Sequence, residues 1–194
     1  MAHTLEPEDE TVRRIQGILS DVDAKWRRAK VARNEGDIAE YFRLLKNVAE
    51  LLTSVKNDPS WRKVKDKDPE KDAQQEVERG TGLEEQGLLD EAITAYEMAC
   101  AIAPWIPKYR VRLGKALRGK GSTARALDEL RIAALLDPNN ADAHYNLGVT
   151  LFALQDYASR QEAIAEFQKA IDIQPSCTDA RKFLDIIRED EDLN

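Results

Sequence analysis

The chain has 194 residues, of which 42% are hydrophobic and 34% charged, with a formal net charge of -7. That length suits one domain or a domain with an appendage, and the apolar share is enough to bury a core. An acidic chain repels phosphate backbones, so nucleic acid is not an expected partner, and no stretch approaches the roughly 20 apolar residues needed to cross a bilayer.

The first ten residues, Met1 to Glu10, hold no basic start followed by an apolar run, so no secretory leader is expected. Cys100 and Cys177 are the only cysteines, and His3 and His144 the only histidines. Two thiols make no disulfide framework and, with two histidines, a poor zinc site. A reducing cytoplasm is the expected setting, with no metal and no cofactor.

Residues 11–34 place Val12, Ile15, Leu19, Val22, Trp26 and Ala29 at alternating steps of three and four, a coiled-coil-like seam. Asn34-Glu35-Gly36-Asp37 breaks that helix. A second helix at about 38–56 carries two apolar stripes. Ile38, Phe42, Leu45, Ala49 and Leu52 can pack on the first helix. Tyr41, Leu44, Val48, Leu51 and Val55 need another cover, either the rest of the chain or a second copy, and form a candidate association surface for a homo-oligomer. Residues 57–72 hold two Asp-Pro steps and balanced charge, the composition of a linker that Trp61 and Val64 would pin to a neighbouring helix.

From there the sequence repeats. Gly80, Gly114 and Gly148 are 34 residues apart, and so are Leu83, Leu117 and Leu151. Ala92, Tyr96, Ala99 and Pro104 recur as Ala126, Leu130, Ala133 and Pro138, then three residues late as Ala163, Phe167, Ala170 and Pro175. The delay locates a three-residue insertion between Tyr157 and Ala163. It is expected to lengthen the turn, with Ser159 and Glu162 as a capping box. Each repeat reads as two helices: a first with Leu and Gly on one face, a second with Ala, a large apolar residue and Ala on one stripe. Small residues let the helices approach, and the large one fills the space between them. Gly87 and Gly121 sit at the turns, and the prolines end the second helices. Ala180, Phe183, Leu184 and Ile187 then outline a capping helix at about 178–190, with Ser176 as its N-cap.

The 34-residue period and these columns resemble the tetratricopeptide-repeat family. The likeness covers 73–175. Glu76, Arg110 and His144 depart from it in a column where the family often has Trp, and Arg79 replaces the Leu before Gly80. The resemblance implies an all-α fold, a right-handed α-solenoid of helix hairpins preceded by an N-terminal helical hairpin. The map is then a hairpin at 1–56, a linker at 57–72, and a stack at 73–194 with repeats at 73–106, 107–140 and 141–177. Trp26 through Leu52 also looks like a degenerate repeat, out of register with the others.

In that family the first helices line a concave groove. Carried over column by column, the groove offers Lys108, Val111, Arg112, Lys115 and Arg118 from the second repeat and Tyr145, Asn146, Val149 and Phe152 from the third. A basic middle beside an aromatic patch implies a protein partner with an acidic segment next to bulky apolar residues. Alternatively the basic residues pair with Glu78, Glu84 and Glu85 of the first repeat. Some members hold a C-terminal carboxylate in a clamp of Lys, Asn and Arg. Here those places hold Val77, Thr81, Arg112, Asp142 and Asn146, so most of the clamp is missing.

Nothing points to catalysis. Gly114 to Lys120 matches most of a phosphate-binding loop, but Gly121 stands where a magnesium-binding Ser or Thr belongs, and the segment reads as a helix rather than a strand and loop. His144 and Cys100 read as packing residues on repeat helices. The expected function is a non-catalytic interaction module: an adaptor, assembly factor or chaperone. The alternative is a structural subunit docked through its N-terminal hairpin.

Overall fold

The computed structural model describes residues 7–58 and 69–192, and those residues are helical with short turns. In chain order the helices are α1 (Pro7–Glu35), α2 (Ile38–Asn57), α3 (Pro69–Glu85), α4 (Leu89–Ile102), α5 (Pro107–Gly119), α6 (Thr123–Leu136), α7 (Ala141–Phe152), α8 (Tyr157–Ile173) and α9 (Thr178–Asp192). Each of α1–α2, α3–α4, α5–α6 and α7–α8 forms a hairpin. The last three stack in order into an α-solenoid, and α9 closes the end against α8.

The glycine column explains how each repeat closes. A Cβ added to Gly80 would lie 2.6 Å from the Tyr96 ring, one added to Gly114 2.6 Å from Leu130 Cγ, and one added to Gly148 2.7 Å from the Phe167 ring. The first helix gives up a side chain where the second inserts a large apolar one. Tyr96, Leu130 and Phe167 are fully buried at these contacts, which is the close packing that makes the 34-residue spacing strict.

The turns share one geometry. Gly36, Gly87 and Gly121 have φ near +80°. At each, the next residue's N–H donates to a carbonyl earlier in the helix: Asp37 to Ala32, Leu88 to Leu83, and Ser122 to Leu117. This Schellman pattern needs a left-handed residue, which glycine adopts without a Cβ clash. The fourth turn uses Gln155 at φ 60° instead.

The insertion in the third repeat lengthens a helix rather than a turn. Helices α4 and α6 have 14 residues and α8 has 17. Gln155 keeps the turn in register with Gly87 and Gly121, so the added residues extend the first turns of α8. The cap is Asp156, whose side chain accepts from the Ser159 N–H at 2.9 Å. Ser159 is thus inside the helix, and Glu162 pairs with Arg131 on α6 at 2.8 Å instead of closing a capping box. Two other boundaries differ from the sequence reading. Helix α3 starts at Pro69, where a proline lacking an N–H is well placed. The Ser176 hydroxyl accepts from the Gln174 side chain at 3.2 Å, and α9 starts two residues later. The expectation for Trp61 and Val64 falls outside the described residues.

The N-terminal hairpin lies on α6, a second helix of the stack. Tyr41, Leu44, Val48 and Val55 are buried and Leu51 is half-buried. Of the two covers left open for this stripe, the rest of the chain is the one the structure uses, because α6 offers it an apolar face and a polar anchor. Tyr41 donates to Asp128 at 2.7 Å, and Arg33 forms an ion pair with the same carboxylate and donates to the Ala124 carbonyl at 3.1 Å. The Arg131 guanidinium stacks on Tyr41 and Phe42, 5.7 and 5.0 Å from their ring centroids.

Candidate functional site: the face of the first helices

Helices α3, α5 and α7 are the first helices of the repeats and present one continuous face. On α5, Lys108 and Arg112 are exposed and Lys115 and Arg118 half-buried. Lys108 donates to the Gln74 side chain at 3.3 Å. Arg118 donates to the Asn146 carbonyl and the Thr150 hydroxyl, both at 3.3 Å, which ties it to α7. Burial pushes its pKa down, against a pull upward from Tyr145. Arg112 and Lys115 form no ion pair among the described residues. The acidic residues of the first repeat are engaged locally: Glu84 accepts from Tyr96 at 2.8 Å and Glu78 from Gln74 at 3.1 Å. The pairing of the basic residues with Glu78, Glu84 and Glu85 is thus not formed among the described residues.

On α7, Tyr145, Val149 and Phe152 are half-buried. They adjoin an aromatic cluster that includes the capping helix. Phe183 stacks on Phe167 at 5.0 Å between centroids and meets Phe152 edge-on at 5.6 Å and Tyr145 at 6.3 Å. The cap therefore covers part of the patch and fixes its ring orientations. Burial raises the Tyr145 pKa, with Asp179 adding to it.

Two of the residues expected to line the groove do not offer their side chains. Val111 is 3% exposed and packs in the core between the second and third repeats. Asn146 is 2% exposed, and its amide donates to the backbone and side chain of Asp142 at 2.8 and 2.9 Å. Both are buried where α5 and α7 pack on their neighbours. The basic and aromatic residues remain on the accessible side.

A pair of buried clamps escaped the sequence reading. Arg110 donates to Glu129 at 2.7 Å and to the Pro104 carbonyl at 3.3 Å. In the next repeat the His144 ring has nitrogens 2.5 Å from Glu166 and 3.0 Å from the Pro138 carbonyl. Arg110 and His144 share a column, and Glu129 and Glu166 share another once the insertion is counted. The signal was present as polar residues recurring in step at places that pack. Cys100 is buried, which pushes its thiol up to about 12 and leaves it an inert packing residue.

Comparison with known proteins agrees with this geometry. A family model described as tetratricopeptide repeat matches residues 111–178. The match spans most of the second repeat and all of the third. Over 85 residues the chain is 33% identical to small glutamine-rich tetratricopeptide repeat-containing protein 2 of Mycosarcoma maydis, covering 44% of this chain and 23% of that protein. The chain thus spans about a quarter of the length of the curated relatives it matches. Among solved structures, the first tetratricopeptide domain of Spaghetti (RPAP3), bound to the HSP90 peptide SRMEEVD, superposes with a TM-score of 0.59 at 24% identity over 62% of this chain and 93% of that one. A MamA crystal structure superposes with a TM-score of 0.57 at 22% identity over 85% of each chain. Among the described residues no helix is long and apolar enough to cross a membrane.

Proposed function

We propose that the chain is a non-catalytic protein-interaction module whose tetratricopeptide groove takes a partner segment with acidic residues beside bulky apolar ones. The observation that carries this reading is the accessible pair Arg112 and Lys115, without an ion pair among the described residues, next to half-buried Tyr145, Val149 and Phe152. Opposite charge would set register and association rate, and the aromatics would supply most of the affinity. A solved domain of this fold holds SRMEEVD, a peptide with an acidic end. Here the clamp places hold Val77, Thr81 and Asp142, so the acidic segment would be read along its length rather than by a terminal carboxylate. The module would serve as an adaptor, assembly factor or chaperone.

The reading in which the hairpin docks permanently into a larger complex is less supported, because the hairpin's apolar stripe already rests on α6. The test is selection from a random peptide library, followed by titration of the selected peptides against the parent and an Arg112→Glu, Lys115→Glu variant. Selected peptides should be rich in Asp or Glu beside Leu, Phe or Trp, and the variant should bind them at least about tenfold more weakly, the equivalent of 1.4 kcal/mol. Peptides without acidic bias, or equal binding by the variant, would refute the assignment.

A further inference from the structure

The hairpin does not close fully on the stack. Between α1 and α2 on one side and α4, α5 and α6 on the other lies a half-open cleft of about 330 Å³, a size at the lower end of ligand sites. Leu19, Val22 and Trp26 line it from α1, Leu52 from α2, and Leu113 and Ile132 from the stack.

Its charged residues are mostly acidic: Asp23, Glu97 and Glu129 against Arg110. Arg110 is already held by Glu129 and the Pro104 carbonyl, so its charge is balanced in place. Glu97 pairs with Arg125 at 2.5 Å, both of them largely exposed. The Asp23 carboxylate takes part in no ion pair among the described residues. The Trp26 ring already carries the Lys30 ammonium 5.4 Å from its centroid, so a cation is compatible with this wall.

We propose that this cleft seats a basic residue of a partner protein together with a bulky aliphatic neighbour. The aliphatic side chain packs on the half-buried Leu19, Val22 and Trp26, and the ammonium or guanidinium stays at the rim by Asp23 and Glu97. Charge complementarity selects this occupant, since Asp23 offers a carboxylate without an ion pair among the described residues, which a basic residue would match and an acidic segment would be repelled by. The site is separate from the groove and has the opposite preference. Helix α5 divides them: Arg110 and Leu113 face the cleft, whereas Arg112 and Lys115 lie on the groove side. One chain would thereby hold an acidic segment on one side and a basic segment on the other.

The test uses the full chain with labelled methyl groups and two capped dipeptides, acetyl-Leu-Lys-amide and acetyl-Leu-Glu-amide. The lysine dipeptide should shift the Leu19 and Val22 methyl resonances at millimolar concentration and bind about fivefold or more tightly than the glutamate dipeptide. Asp23→Lys, at an exposed position, should remove that preference without changing the melting temperature. Arg112→Glu should leave it intact. The inference is overturned if neither dipeptide moves those methyls, if both bind alike, or if Arg112→Glu changes the binding. None of these outcomes depends on the groove, so the two readings fail separately.

Discussion

The Tyr41 hydroxyl donates to the buried carboxylate of Asp128 over 2.7 Å, across 87 positions of sequence. This contact, with the Arg33–Asp128 ion pair beside it, anchors the hairpin to α6. Burial and the neighbouring Asp128 charge hold the Tyr41 hydroxyl well above its ordinary pKa, so it stays a donor. Replacing Tyr41 with Phe leaves Asp128 short of a donor and should cost about 1–3 kcal/mol. In a double-mutant cycle with Asp128→Asn, measured by urea unfolding, the coupling should exceed about 0.5 kcal/mol. Additive losses would mean that the two groups do not interact.

Removing the hairpin should have the opposite effect to that expected of an association arm. The stripe from Tyr41 to Val55 and the face of α6 bury each other, including Ile132 at 0% exposure. Deleting residues 1–58 uncovers that face. Light scattering should show a monomeric full chain and a truncated chain that associates or precipitates. A monomeric, equally stable truncated chain would show that the hairpin contributes little.

Gly114→Leu should test the repeat register. Even a Cβ would sit 2.6 Å from Leu130 Cγ, and overpacking a closed core costs about 1–3 kcal/mol or more. Leu130→Ala alone should also destabilise, by opening a cavity. Gly114→Ala with Leu130→Ala should lose less than the sum of the single changes, because the added methyl then has room. Thermal unfolding of Gly114→Leu, Gly114→Ala, Leu130→Ala and the double variant decides this.

Gln155→Gly should stabilise the protein. Gln155 holds φ 60° in the column where Gly87 and Gly121 sit, and a side chain there costs about 1–2 kcal/mol. The gain should appear as a rise of about 2–8 °C in Tm. No rise would mean that the Gln155 side chain offsets its backbone cost.

Acid should weaken the third repeat through Glu166. Burial pushes its pKa up, but hydrogen bonds from His144 and Lys169 outweigh that and hold it below the ordinary glutamate range. A carboxyl whose pKa is lower folded than unfolded adds stability above its unfolded pKa and loses it as pH falls through the folded value. The stability difference between the parent and Glu166→Gln should therefore be largest near neutral pH and shrink below about pH 4. A constant difference across that range would assign the effect to packing alone.

The sequence by itself determined the repeat stack. Spacings of 34 residues in Gly, Leu, Ala and Pro are local rules, set by how two helices of one hairpin touch, and such contacts repeat whenever the residues do. It also showed which α5 residues carry positive charge and where the cap follows. Tertiary structure alone decided where the second stripe of α2 rests, since apolar side chains specify burial but not the surface that buries them. It decided that Val111 and Asn146 turn inward, although their counterparts at the 34-residue spacing, Tyr145 and Arg112, stay accessible. It placed Asp128 under Tyr41 and Arg33, a pairing across two hairpins with no common period. It also put the three inserted residues in α8 rather than in the turn, because Asp156 caps the helix and the left-handed Gln155 keeps the turn short.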